Sequence, residues 1–166
     1  ESPRRMDGSF PDDIVPLSIC QAAGASSWIE GHEPECAVDN YARTWWRAEG
    51  DCPQTLVVGL GGTFYVSAAR IIFDEMLIPD NVGKAVFQYV IEGTDAAGNM
   101  VTLADQRDSD FDGHIRYETW TPHCVTDVRI TITQVPPGST PGLLDFCLFG
   151  HAQDGQTATK YSGGCT

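Results

Sequence analysis

Short runs of alternating apolar and polar residues dominate the chain between residues 55 and 149. In Val125–Thr133, the apolar residues Val128, Ile130 and Ile132 alternate with polar ones, the two-residue period of a strand with one solvated face. No segment shows the period of a helix, and Gly, Asp, Asn and Pro separate the runs. Strands joined in this way predict an all-β fold, an antiparallel β-sandwich of the jelly-roll type. The other predicted strands are Thr55–Leu60, Val66–Phe73, Phe87–Glu92, Met100–Ala104, Ile115–Trp120 and Leu143–Phe149.

The two ends of the chain lack this pattern. Residues 1–16 are polar and contain proline, which predicts an extended N-terminal arm, and residues 151–166 predict a C-terminal tail or linker. The predicted sandwich therefore spans residues 17–150, a length that suits one domain with its own core. No apolar run reaches the roughly 20 residues needed to cross a bilayer, and no signal-like core opens the chain. We expect an exported protein whose leader has been removed or is not included in this sequence.

The net charge of the chain limits the classes of partner that it can bind. There are 23 acidic and 10 basic residues, a net charge of −13 at pH 7. Nucleic acid and anionic membranes would be repelled, so a nucleic-acid partner is excluded and a membrane partner is disfavoured. The acidity is compatible with binding of divalent cations and with an extracellular protein. We expect the protein to be a monomer.

Six cysteines favour disulfides over a metal centre. They are widely spaced, without a Cys-x-x-Cys pair or histidines at zinc-finger spacing, and therefore indicate an oxidising compartment and secretion. Fifteen pairings are possible; Cys36 and Cys52 bracket one loop and are the first pair to expect. The cysteines are Cys20, Cys36, Cys52, Cys124, Cys147 and Cys165.

Motifs of catalysis are absent from the sequence. It has no Gly-x-Ser-x-Gly elbow, no phosphate-binding Gly-x-x-x-x-Gly-Lys, no His-Glu-x-x-His and no dinucleotide fingerprint. Asp108, Asp110 and Asp112 offer paired carboxylates, but a solvated acidic turn is the simpler interpretation. We therefore predict no catalytic residues, and a free-standing enzyme is the least favoured class.

Five motifs in order resemble one family. Ala25-Ser26-Ser27, followed by Ala37–Trp46, resembles the Ala-Ser-Ser and Ala-x-Asp-Gly-x-x-x-Thr-x-Trp opening of discoidin (coagulation factor 5/8 C-type) and family 32 carbohydrate-binding domains. Thr55 and Gly59 depart from the family pattern in the next strand. Asp105–Arg107 through His114 and Tyr117 is also similar to a stretch in the discoidin-like modules of family 43 glycoside hydrolases. The remaining motifs are Thr55–Gly61, Tyr89–Asp95, Thr126–Ile132 and Leu143–Gly150.

The resemblance implies a function and its alternative. It implies a galactose-binding-domain-like sandwich and a non-catalytic module that binds an oligosaccharide or polysaccharide, as part of a secreted glycan-degrading enzyme. The alternative is an extracellular adhesion domain that binds a protein or a membrane surface. Met76, Leu77 and Ile78 could form an apolar loop for a membrane, but the acidic surroundings oppose anionic lipid.

The resemblance also implies a structural calcium ion in the turn Cys36–Thr44. Oxygen ligands are what calcium prefers. Asp145 stands where the family usually carries Glu, one methylene longer. The simpler alternative is that Asp39 and Thr44 only cap the turn through hydrogen bonds to the backbone. The implied ligands are the carboxylates of Asp39 and Asp145, the hydroxyl and carbonyl of Thr44, and the carbonyls of Cys36 and Tyr41.

In the family fold, several loops meet at one end of the sandwich, where an aromatic ring and planar polar groups form a sugar site. Trp28 lies in a polar loop and is the most informative candidate, although it could instead pack back on the domain. Trp46 matches a core Trp, whereas Trp45 could be buried or bind ligand. His32, His123 and His151 are expected to be ordinary surface residues. The predicted carbohydrate-binding residues are Trp28, Trp45, Arg47, Asp74, Tyr89, His114 and Arg116.

Overall fold

The computed structural model describes residues 14–80 and 83–152, and their regular structure is almost entirely β. All strand pairings are antiparallel, as predicted. A 3-10 turn at Pro34–Ala37 adds one short helical element. The strands are β1 Val15–Pro16, β2 Ala23–Ala25, β3 Trp46–Arg47, β4 Gln54–Phe73, β5 Gln88–Thr94, β6 Met100–Asp105, β7 Ile115–Gln134 and β8 Gly142–Ala152.

Two long strands, β4 and β7, build both layers of the sandwich. Residues 54–59 of β4 pair with residues 132–127 of β7, and after an irregularity residues 64–72 of β4 pair with 125–115. The first ladder continues through β5 to β6 on one side and to β2 on the other. The second continues to β8, which also carries β1 and β3. Because the paired strands bend together at the irregularity, each contributes to both layers.

The core lies between these layers. Val128, Ile130 and Ile132 are fully buried, which confirms the alternation expected for this strand. Trp46 is also fully buried, and its indole Nε1 donates a hydrogen bond to the carbonyl of Ser27 at 2.9 Å. Trp46 is therefore a core residue. From the second layer the core receives Val66, Ala69, Ile71, Phe73, Leu143, Phe146 and Leu148.

The bend also brings several loops to one end of the sandwich, here called the loop end. The amide of Glu49 donates to Ser27 Oγ at 3.0 Å, and the amide of Ala48 donates to the Pro141 carbonyl at 2.9 Å. Phe73 donates to the carbonyl of His114 at 2.8 Å, which ties the loop before β7 to the end of β4. The loop end is formed by residues 26–33, 45–53, 74–80, 106–116 and 135–141.

The strand predictions are confirmed, with two differences. Four of the predicted runs merge into the two long strands, and the short strands β1, β2 and β3 were not predicted. Val15 and Pro16 pair with Gly150 and Phe149, so pairing begins inside the expected arm. Residues 1–13 and 153–166, which hold most of the predicted arm and tail, lie outside the described residues.

The expected Cys36–Cys52 disulfide is wrong, because both residues carry free thiols, and Cys124 and Cys147 are free as well. Cys36 sits in the 3-10 turn, which packs on β8, β2 and β3, whereas Cys52 packs on the core close to Val135. The two ends of the loop are thus held against different parts of the sandwich. Cys20 is disulfide-bonded. Within the described part of the chain, no helix is long and apolar enough to cross a membrane.

Candidate functional site

An almost buried ion pair anchors the loop end. Arg47 Nε donates to Asp74 Oδ2 at 2.8 Å, and the side chain of Asp74 is 1% exposed. The second oxygen of Asp74 accepts a hydrogen bond from the amide of Met76 at 3.0 Å. Since Arg47 uses Nε for this pair, its outer nitrogens remain available for the hydroxyl groups of a ligand. Arg47 is therefore a fixed donor, and Asp74 positions it.

Trp45 and His32 pack together beside Arg47. Their ring centroids are 4.5 Å apart, and the Arg47 guanidinium lies 5.6 Å from the centre of the Trp45 ring. His32 Nδ1 is 3.0 Å from the carbonyl oxygen of Trp45. A carbonyl only accepts, so Nδ1 carries the proton, and in the neutral ring Nε2 is an acceptor. His32 was expected to be an ordinary surface residue, but it covers part of the Trp45 ring.

Trp28 is the exposed aromatic residue of the first loop. Its side chain is 47% exposed, and the following amide, that of Ile29, donates to the carbonyl of Arg47 at 3.1 Å. The ring therefore lies in the loop that pairs with the segment carrying the fixed guanidinium. It does not pack into the core, which was the alternative for a tryptophan at this position.

A second polar group comes from the loop before β7. His114 Nδ1 lies 3.1 Å from Glu75 Oε2, and both side chains are partly exposed. Glu75 follows Asp74 directly, so the pair lies next to the Arg47–Asp74 pair. The guanidinium of Arg47, the imidazole of His114 and the carboxylate of Glu75 are thus brought together here. They supply both hydrogen-bond donors and acceptors, which suits recognition of sugar hydroxyl groups.

Arg116 forms the third element of the surface. Its guanidinium lies 4.4 Å from the centre of the Phe111 ring, which is 48% exposed, and 5.6 Å from the Tyr89 ring. Arg116 Nη1 also donates to Ser109 Oγ at 3.2 Å. Phe111 was not among the predicted residues, because the sequence around a single Phe in an acidic loop does not show whether its ring is exposed.

Tyr89 does not reach the surface. It is fully buried, and its hydroxyl donates a short hydrogen bond to Glu118, which also lies 3.6 Å from Arg116. Burial, followed by this hydrogen bond, raises the pKa of the Tyr89 phenol well above its ordinary value. Gln106 donates to the same carboxylate at 3.3 Å. Tyr89 therefore supports Arg116 from below. The carboxylate of Glu118 accepts hydrogen bonds from Tyr89 and Gln106 and pairs with Arg116.

The turn proposed to hold calcium is organised by Asp39. Its carboxylate accepts hydrogen bonds from the Tyr41 amide at 3.0 Å and from the Thr44 hydroxyl at 2.5 Å. Asp145 Oδ2 pairs with Arg70 Nε at 2.6 Å. Burial, together with the nearby charge of Asp39, raises the pKa of Asp145, although Arg70 opposes this. Asp145 therefore lies within electrostatic reach of Asp39.

The donor atoms at this turn are oxygens of the type that a hard cation prefers, since both carboxylates and the Tyr41 carbonyl border it. Within residues 14–80 and 83–152, no cluster of three or more His, Cys, Asp or Glu side chains is arranged to hold a metal ion. An ion at this turn would therefore take the rest of its ligands from backbone carbonyls, Cys36 among them, and from the Thr44 hydroxyl.

No protein-family model and no curated protein sequence matches the chain, whereas solved structures do. Chitosan-binding module 2 of a chitosanase/glucanase from Paenibacillus sp. IK-5, in complex with chitotriose, is 26% identical with a TM-score of 0.69, covering 81% of this chain and 99% of that one. The family 32 module of C. perfringens NanJ, in complex with galactose, is 20% identical with a TM-score of 0.68, covering 82% and 98%.

A longer protein matches over part of its length. The family 89 glycoside hydrolase from Clostridium perfringens is 19% identical with a TM-score of 0.69, and the match covers 89% of this chain but 16% of the hydrolase. These neighbours share the arrangement of strands described above. The fold expected from the sequence motifs is thus confirmed: the chain has the antiparallel β-sandwich of the discoidin-like carbohydrate-binding modules.

Proposed function

We propose that this chain is a non-catalytic carbohydrate-binding module that holds an oligosaccharide at the loop end. The observation that carries the proposal is the combination of two exposed rings, Trp28 and Phe111, with two guanidinium groups that are fixed from below. A sugar presents an apolar face to an aromatic ring and hydroxyl groups to planar polar partners. Trp45, His32 and His114 complete the surface.

The structural neighbours support this proposal, since modules of the same fold were crystallised with chitotriose and with galactose. Asp74 and Tyr89 enter it as positioning residues, because both are buried beneath the guanidinium groups they hold. The adhesion alternative has weaker support. Met76 and Leu77 are exposed, but Glu75 and Asp80 flank them and disfavour an anionic lipid surface.

Calorimetric titration of the domain with chitotriose, galactose and a wider glycan panel tests the function. One aromatic stack with a few exchanged hydrogen bonds yields a dissociation constant on the order of 10 µM to 1 mM. Binding of at least one saccharide in this range, competed by the same free sugar, is the expected result. Absence of binding across the panel, with binding to a protein or to vesicles instead, would support the adhesion alternative.

We further propose that the module is attached to a secreted glycan-degrading enzyme. In the family 89 hydrolase, the matching region is 16% of a longer chain. Tethering raises the effective concentration of a weak binder near its polymer, so a module of this affinity is useful beside a catalytic domain. The disulfide at Cys20 supports export, because such bonds persist in oxidising compartments.

We also propose a structural calcium ion at the turn 36–44, held by Asp39, Thr44 and Asp145 with the carbonyls of Cys36 and Tyr41. A ligand that binds only the folded state at 100 times its dissociation constant adds about 2.7 kcal/mol to the free energy of unfolding. We expect the midpoint of thermal unfolding to rise with calcium and to fall back with a chelator.

The calcium proposal has a matched pair of variants. Asp39→Asn removes one charged ligand and should abolish most of the calcium-dependent shift. Asp105→Asn removes an exposed carboxylate that pairs with Arg107 and should leave the shift unchanged. Equal midpoints in calcium and in chelator for the unmodified protein would count against the ion.

A further inference from the structure

The loop end carries two exposed aromatic rings on different loops, and each ring has a guanidinium group of its own nearby. Trp28 lies in the loop whose backbone pairs with that of Arg47. Phe111 lies in the loop before β7, with the guanidinium of Arg116 at 4.4 Å from its ring centre. We call these two groups the Trp28 subsite, formed by Trp28, Trp45 and Arg47, and the Phe111 subsite, formed by Phe111, Ser109 and Arg116.

The two subsites stand on strands that are not neighbours. Arg47 belongs to β3, which pairs with β8; β8 pairs with β4, and β4 pairs with the start of β7, where Arg116 lies. Neighbouring strands are about 4.8 Å apart, so these three steps separate the backbones of Arg47 and Arg116 by roughly 14 Å. A single pyranose ring is much shorter than this distance and cannot contact both subsites.

Each subsite is held in place by contacts of its own. The Trp28 subsite depends on the ion pair between Arg47 and Asp74, whose atoms are 2.8 Å apart. In the Phe111 subsite, Ser109 Oγ accepts hydrogen bonds from the Phe111 amide and from Arg116 Nη1, both at 3.2 Å. Because the two sets of contacts share no residue, each subsite can bind a sugar residue separately.

A polar pair lies between the two subsites. His114 Nδ1 is 3.1 Å from Glu75 Oε2, and the side chains are 31% and 52% exposed, so a ligand can reach both. Glu75 follows Asp74, which holds Arg47, and His114 precedes Arg116 by two residues. The space between the two aromatic rings is therefore lined by a donor and an acceptor for sugar hydroxyl groups.

We propose that the loop end binds an internal stretch of a linear polysaccharide, with one sugar residue on the Trp28 subsite and a later one on the Phe111 subsite. The sugar residues between them lie along the Glu75–His114 pair. The proposal rests on the proposed function, because it uses the same surface and specifies how much of the saccharide that surface holds. Since both contacts belong to one ligand, the second forms at a raised effective concentration, and an oligosaccharide that spans both subsites binds more tightly than a single sugar.

Two series of saccharides test this proposal, one of glucosamine oligomers and one of β-1,4-linked galactose oligomers, each as monosaccharide, trisaccharide and pentasaccharide. Backbone amide shifts are followed by NMR during each titration. In a series that binds, the monosaccharide should shift amides at residues 26–33 and 45–47 and amides at 106–116 with separate dissociation constants. The pentasaccharide should shift both sets with one common constant, lower by about tenfold or more.

Variants of the Phe111 subsite sharpen the test. Phe111→Ala should weaken pentasaccharide binding by about tenfold and leave monosaccharide binding at the Trp28 subsite unchanged. Ser109→Ala keeps the ring but removes the acceptor shared by Phe111 and Arg116, so it should weaken pentasaccharide binding by a smaller factor. Met100→Ala removes a comparably exposed side chain at the start of β6 and should change neither constant.

This proposal and the proposed function fail in different ways. Equal affinities for monosaccharide and pentasaccharide, or pentasaccharide shifts confined to one subsite, would overturn the internal-stretch proposal and leave a saccharide-binding module in place. Pentasaccharide binding that is unaffected by Phe111→Ala would overturn it as well. If no member of either series bound, the internal-stretch proposal would be overturned, while the proposed function would still be decided by the wider glycan panel.

Discussion

Trp28→Ala is expected to weaken saccharide binding by about tenfold or more without lowering the unfolding temperature. Trp28 is 47% exposed, so removal of its ring opens no cavity in the core, whereas a stacked sugar loses its largest apolar contact. A factor of ten corresponds to about 1.4 kcal/mol of binding free energy. Calorimetric titration measures the affinity, and thermal unfolding followed by circular dichroism measures the stability.

Two controls sharpen this experiment. Trp28→Tyr keeps an aromatic face and should recover part of the affinity. Met100→Ala removes a side chain with 46% exposure at the start of β6 and should have no effect on binding. Unchanged affinity in Trp28→Ala would remove Trp28 from the site and shift the stacking role to Phe111 or Trp45.

Asp74→Ala is expected to lower the free energy of unfolding by about 3 kcal/mol and also to weaken saccharide binding. The side chain of Asp74 is 1% exposed and that of Arg47 is 16% exposed, so the change leaves a largely buried guanidinium without its partner. The amide of Met76 loses its acceptor as well. Urea unfolding measures the loss of stability, and titration measures the affinity.

Replacement of both Arg47 and Asp74 separates the destabilisation caused by an unpaired charge from the contribution of the ion pair to the free energy of unfolding. The double variant Arg47→Met with Asp74→Ala should recover a large part of the stability lost in Asp74→Ala, since no charge is left unpaired. Its saccharide affinity should stay low, because the fixed donor is gone. If the double variant regained full affinity, Arg47 would have no direct role in the site.

The sequence predicted the strands because their pattern is local. The alternation at Val128, Ile130 and Ile132 assigns those side chains to the core whatever strand lies beside them. The motif that ends in Trp45-Trp46 likewise identified Trp46 as the core residue. Trp28 was recognised as a candidate for ligand binding because its neighbours in the chain are polar.

Contacts between distant segments could not be predicted in this way. Glu118 acts as the acceptor for Tyr89, 29 residues earlier, and this contact exists only once the first half of β7, which belongs to the other layer, lies across the core from β5. The same contact places Tyr89 inside the domain rather than in the site. The places of Phe111 and His32 in the surface at the loop end also depend on contacts between distant segments, namely those with Arg116 and Trp45.

The sequence by itself determined the strand periods, which depend on spacing along a single segment, and the acidic charge, which depends on composition. The core tryptophan followed from the resemblance of its motif to the family. Tertiary structure alone decided which polar groups are buried and that Cys36 and Cys52 stay unpaired. The physical reason is that burial and pairing depend on how two long strands bend. That bend is a property of the packed layers, and no local pattern of side chains encodes it.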